Sequence, residues 1–146
     1  GGEASPAEPE QLEEEMLRTI RQSSCFLEVD SNKGLIIIDL TSYNRKPHII
    51  KNLAFLIHPN ALAVLEIYNL FRHGVKSNDL SFSMSLSLNL KKVDHQKDVG
   101  EIMRELNIGD GHSGAAAGTV YCNSKAEMVR QKKHITEQIY QIWENQ

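Results

Sequence analysis

The chain has 146 residues, is 40% apolar and carries a formal charge of -3, which suits one domain with a real core and leaves little room for two. No apolar run approaches the roughly 20 residues of a bilayer span and the N-terminus lacks a secretory signal's basic-then-apolar order, so a soluble, unexported, cytoplasmic protein is expected. Glu3, Glu8, Glu10, Glu13, Glu14 and Glu15 precede any Lys or Arg, leaving 13 acidic against 16 basic residues, a mildly basic body that permits a phosphate-bearing partner but falls short of a dedicated duplex binder.

Residues 1–8 read as a Gly-Gly cloning remnant with an acidic flexible start, and 9–146 as a single domain. Pro9 suits the first turn of a helix, where its missing N–H is not needed and nearby glutamates face the positive helix end. Leu12, Met16 and Ile20 recur at helical spacing, widened by Leu17. Residues 25–30 and 34–40 are short β-branched runs around Ser31-Asn32-Lys33-Gly34, a predicted hairpin. The unbroken Leu35 to Ile38 run predicts a strand covered on both faces.

From Pro47 to Ile57 a short buried helix is expected, ended by His58-Pro59-Asn60. Residues 61–71 fit either period, and they read as strand because 74–79 is a polar turn and 80–90 alternates strictly. Leu80, Phe82, Met84, Leu86, Leu88 and Leu90 share one face; Ser81, Ser83, Ser85, Ser87 and Asn89 share the other. Val99, Ile102, Met103 and Leu106 form the apolar face of a helix that Asp94 is placed to cap and Gly109 to end. Residues 119–122 predict a last strand, and from Ser124 a long helix turns Met128, Ile135, Ile139 and Ile142 inward and Arg130, Lys132, Lys133 and His134 outward. The sum is an α/β class: a mixed β-sheet of about five strands flanked by helices, with an N-terminal helix and a long C-terminal one.

Between the last two elements lies GDGHSGAAAG, residues 109–118. Two readings fit it. Gly109, Gly111 and Gly114 would let backbone N–H groups converge on an anion, with Ala115 to Ala117 opening a closely packed helix and His112 donating a hydrogen bond to phosphate or stacking on a base. Alternatively, the small residues allow a tight connection to pack on the sheet, with His112 merely exposed.

Context adds to the first reading. A serine-rich strand, a Val-Asp pair, an amphipathic helix and a Gly-x-Gly-His loop ending in Ala-Ala-Gly, in that order over some forty residues, resembles the DHH-associated C-terminal domain. This domain accompanies the DHH catalytic domain in oligoribonuclease and phosphoadenosine-phosphate phosphatase-type enzymes and in RecJ-like exonucleases. The resemblance implies a domain that holds a nucleotide, or the end of a short single-stranded DNA or RNA, across a cleft from a metal centre. It assigns phosphate binding to Gly109, Asp110, Gly111, His112, Ser113 and Gly114, with the 116–118 segment, and to Ser85 and Ser87. Two departures stand out: Asp110 replaces a glycine of the family loop, and the family's arginine is missing around Leu86 to Leu88. Lys91 and Lys92 are the nearest substitute cations.

The catalytic half is missing from the motifs. Asp94-His95 is followed by Gln96, so it forms no DHH motif and reads better as a helix cap. There is no GxSxG elbow, no Walker loop and no HExxH. Cys25 and Cys122 lack metal or redox spacing and read as small buried hydrophobes. No cofactor or metal is expected in this chain, whereas the resemblance implies manganese or magnesium in a catalytic DHH domain in cis, making the full protein a hydrolase, a metal-dependent phosphodiesterase. A stand-alone nucleic-acid-binding module and a structural or dimerising domain without ligand are the alternatives, and a homodimer through the N-terminal helix is a further expectation.

Overall fold

The computed structural model describes residues 8–27, 34–45, 47–88, 90 and 95–146. Helix α1 (Pro9–Ser23) runs directly into strand β1 (Ser24–Leu27), followed by β2 (Leu35–Asp39). One 3-10 turn (Lys51–Leu53) and one turn of helix α2 (Ala54–Ile57) precede β3 (Ala63–Arg72) and β4 (Val75–Leu86). Helix α3 (Val99–Glu105), β5 (Gly109–His112), β6 (Ala115–Val120) and α4 (Lys125–Asn145) complete the order. The strands form one six-stranded sheet, β1-β2-β3-β4-β6-β5, in which β2 and β3 are parallel and every other pair is antiparallel. The α/β class with a mixed sheet and helices at both ends of the chain is thus as the sequence predicts. No helix among the described residues is long and apolar enough to cross a membrane.

Side-chain alternation divides the core in two. Leu35 and Ile37 face α3 and α4 together with Ala63, Leu65, Ile67, Leu80, Phe82, Met84 and Leu86. Ile36 and Ile38 face the opposite layer with Val64, Ile20 of α1 and Ala54 of α2. The Leu35–Ile38 run is therefore covered on both faces, as a central strand beside a parallel neighbour must be. In α1 burial deepens toward the C-terminal end: Leu12 is exposed, Met16 and Leu17 are partly buried and Ile20 is fully buried.

Several boundaries differ from expectation. The 74–79 segment is mostly strand: the turn is His73-Gly74, both at positive φ (53° and 76°), as a tight two-residue hairpin requires. Residues 115–117 form β6 instead of a helix, and 109–112 form the sixth strand. The predicted 47–57 helix is reduced to residues 51–57. Helix α3 ends at Glu105, short of the expected Gly109, with Asn107 left-handed (φ 57°) beyond its last turn. On α4, Trp143 is fully buried while Ile142 is only partly so, and Lys132 pairs with Asp39 at 2.8 Å instead of facing solvent. Cys25 is exposed on the edge strand, although Cys122 is buried. Residues 1–7, the 28–33 segment with its expected turn, Asn89, Lys91, Lys92 and Asp94 lie outside the described residues.

The cap of α3 is Asp98, whose carboxylate accepts the Glu101 N–H at 2.9 Å. This helix seats β5: a Cβ on Gly100 would fall 2.6 Å from the Gly111 carbonyl oxygen. Asp98→Ala is expected to lower stability by about 1 kcal/mol, measured by urea denaturation. An unchanged midpoint would show that water replaces the cap without loss.

Candidate functional site

The hydroxyl face of β4 is largely closed to solvent: Ser81, Ser85 and Ser87 are each 6% exposed or less, and Ser83 is partly exposed. It is covered because β4 lies between β3 and β6 and because residues 51–57 pack over that side of the sheet. Near the C-terminal end of β4 the cover stops, leaving a cavity of about 410 Å³ whose lining includes Asn52, Phe55, Ser85, Ser87, His112 and Gly114. Residues from three distant stretches of the sequence meet there. The register explains it: Ser85 pairs with Ala115 on β6, and Ala115 pairs with His112 on β5.

The polar groups have defined roles. Ser85 donates its hydroxyl to Asn52 Oδ1 at 2.7 Å, so the proton is engaged and the Asn52 amide NH₂ is left as the donor of the pair. Ser87 Oγ accepts the Leu90 N–H at 3.2 Å and keeps its own proton available. His112 Nδ1 accepts the Gly114 N–H at 3.2 Å. That bond fixes the neutral imidazole in the tautomer with hydrogen on Nε2, so the exposed ring presents a donor. Three donors of different types thus serve one cavity, with the Phe55 ring and the exposed Leu88 side chain beside them.

Gly109, Asp110, Gly111 and Ser113 are not in that lining. The first three lie on β5, and Ser113 uses its carbonyl to accept the Val99 N–H at 3.0 Å. The glycines are crowded by their own hairpin: a Cβ on Gly109 would sit 2.0 Å from the Ala117 carbonyl oxygen, and one on Gly111 2.5 Å from the Ala115 carbonyl oxygen. Asp110 accepts from Arg104 at 2.8 Å and from the Gly111 N–H at 2.8 Å. The Arg104 guanidinium holds its carboxyl below the usual carboxylate range, so the acid that departs from the family loop is charge-paired. Arg104 also donates to the Gly111 carbonyl at 2.9 Å, which places an arginine against this hairpin from α3 rather than from β4.

Asn52 and Phe55 belong to no motif. Their one sequence signal is the spacing of three within a helical stretch, which puts both on one face.

No family model and no curated protein matches the sequence. Solved structures do. Part of a pGpG-specific phosphodiesterase from Vibrio cholerae superposes with a TM-score of 0.60 at 19% identity, over 88% of this chain and 39% of that one. A DHH domain described as belonging to a family of ribosomal proteins gives 0.56 at 15% identity, over 90% of this chain and 30% of that one. The chain therefore spans under two fifths of the length of either structure. The second of these is named as a DHH domain, and both likenesses are of fold alone.

Proposed function

We propose that residues 9–146 are the substrate-holding, DHH-associated domain of a DHH-family phosphoesterase of the cytoplasm, binding a nucleotide or the end of a short single-stranded nucleic acid. The observation that carries this reading is the convergence of His112, Ser87 and Asn52 donors on one cavity that also offers an aromatic face. Phosphate oxygens accept hydrogen bonds and bases stack on rings, so a nucleotide uses both kinds of wall. The shared fold with part of a phosphodiesterase supports the same reading.

The Gly109 and Gly111 backbone acts here indirectly. It lets β5 approach β6 and α3 closely enough for His112 to share the cavity with Ser85, across Ala115. Among the described residues, no three His, Cys, Asp or Glu side chains are grouped to hold an ion. Metal-assisted hydrolysis belongs to a DHH catalytic partner domain, and this domain contributes grip and orientation. The crowding of the glycines favours one second reading, a structural or dimerising domain whose hairpin only packs.

The test is fluorescence anisotropy with a labelled short single-stranded oligonucleotide, at low and moderate salt. Binding is expected to weaken with salt and to fall about tenfold in His112→Ala, the loss of one hydrogen bond to a charged group. Equal affinity of the two proteins, or no binding by either at low salt, would put the structural reading first.

A further inference from the structure

The sheet has a second concavity at its other end. Along β4, Lys76 and Ser85 stand about 30 Å apart at the usual rise per residue, and the site above lies at the Ser85 end. Around Lys76 a cleft of about 690 Å³ opens between the end of β2, the start of β4 and the first turns of α4. It lies at the end of the sheet, where Asp39, paired with Lys132, brings in the α4 side and Gln22, Ser23 and Tyr43 bring in the other. The two sites therefore occupy opposite ends of the sheet.

Among the described residues, the charged ones lining this cleft are Asp39, Lys76, Lys125 and Lys132. Thr41, itself only 6% exposed, organises them. Its N–H and hydroxyl donate to Asp39 Oδ1 at 2.9 and 2.6 Å. Its Oγ1 accepts from Lys132 at 2.9 Å, and its carbonyl accepts from Lys76. Burial pushes the Asp39 carboxyl up, but the bonds from Lys132 and Thr41 outweigh it and hold the group below its ordinary value. Asp39 is thus ionised and offsets one lysine, leaving two positive charges in excess.

We propose that this cleft binds a small phosphorylated molecule. An excess of positive charge in a concave, walled space attracts anions. The cations are lysine ammonium groups, point charges that suit phosphate. Two of the lysines are held in place by the buried Thr41, so less side-chain freedom is lost on binding. The volume lies within the range of small-molecule sites and exceeds what a lone ion needs. Asn78 on the β4 rim supplies a neutral donor for the rest of such a ligand.

Inorganic pyrophosphate, titrated into the full chain and followed by amide NMR, is the probe. Shifts are expected at residues 41–44, 76–78 and 125–129, with the same titration in His112→Ala. Lys76→Gln and, separately, Lys125→Gln are expected to bind about tenfold more weakly. Lys125 is exposed at the start of α4, so Lys125→Gln keeps the fold where Lys76→Gln disturbs the Thr41 loop. Single-stranded oligonucleotide added in a parallel titration identifies the source: the same shifts would assign the phosphate to a nucleic-acid backbone, and pyrophosphate shifts alone to a free small molecule. No shifts at these amides, equal shifts with sodium chloride at matched ionic strength, or wild-type affinity in both lysine variants would overturn the proposal. Loss of oligonucleotide binding in His112→Ala leaves it untouched, since that concerns the other end of the sheet.

Discussion

Replacing Trp143 with alanine is expected to remove about 3–5 kcal/mol of stability, the range for deleting a buried large aromatic side chain. The side chain is fully buried in the larger core cluster, next to the residues that α3 and β4 contribute. It also supports a buried charge. Lys97 is 7% exposed, its ammonium lies 4.4 Å from the centre of the Trp143 ring, and it donates to the Trp143 carbonyl at the end of α4. A cation at a helix C-terminus is favourable, and so is one over an indole face. Alanine would leave that ammonium above a void, adding a poorly solvated charge to the cavity cost. Trp143→Phe keeps a ring beneath Lys97 and should recover a good part of the loss. Urea denaturation of both variants gives the comparison, and thermal unfolding should show a fall in melting temperature of about 10 °C for alanine. A loss below about 1 kcal/mol would mean that the last turn of α4 lies outside the cooperative unit.

Trp143 also shows where the sequence is hard to read. The stripe Met128, Ile135, Ile139 has helical spacing, and both Ile142 and Trp143 continue it acceptably. Periodicity does not choose between neighbours when the stripe is more than 100° wide. The partner residue settles it, since Lys97 on a distant segment sits over one ring. Strand β4 is legible as far as Leu86 because a period of two leaves no helical alternative, and Leu80, Phe82, Met84 and Leu86 all lie in one cluster, whereas the strand stops short of the expected Leu90 and Leu88 is exposed. The 109–118 stretch misleads for the opposite reason. Glycine and alanine are poor strand formers by propensity, yet small side chains are what two closely approaching backbones require, and tertiary contact decides the outcome. The site divides in the same way. His112, Ser85 and Ser87 are legible from motif order, whereas Asn52 and Phe55 arrive from a segment whose position depends on packing over the sheet. Lys132 reads as one of a solvated run, and only the parallel pairing of β2 with β3 and the placement of α4 bring Asp39 opposite it.

Gly109→Ala is expected to lower stability by about 2–3 kcal/mol, at the upper part of the range for forcing atoms into a packed region. The Cβ would lie 2.0 Å from the Ala117 carbonyl oxygen and 2.5 Å from the Gly118 Cα. Both obstacles are backbone, so neither can rotate away. The only relief is to spread β5 from β6, where Gly109 and Gly118 face each other in register. Gly118→Ala makes the control. Its Cβ would meet chiefly the Ile108 side chain, at 2.7 and 2.9 Å, and that chain can change rotamer, so a smaller loss is expected. Together the pair tests what the glycines are for. If they serve packing, Gly109→Ala loses stability and oligonucleotide affinity together, because spreading the hairpin carries His112 away from Ser85, while His112→Ala loses affinity and keeps the melting temperature. If instead the Gly109 backbone touched phosphate directly, Gly109→Ala would retain its stability and lose only affinity, and the hairpin would have to open when ligand binds. Melting curves read alongside anisotropy titrations of the three variants separate the two outcomes.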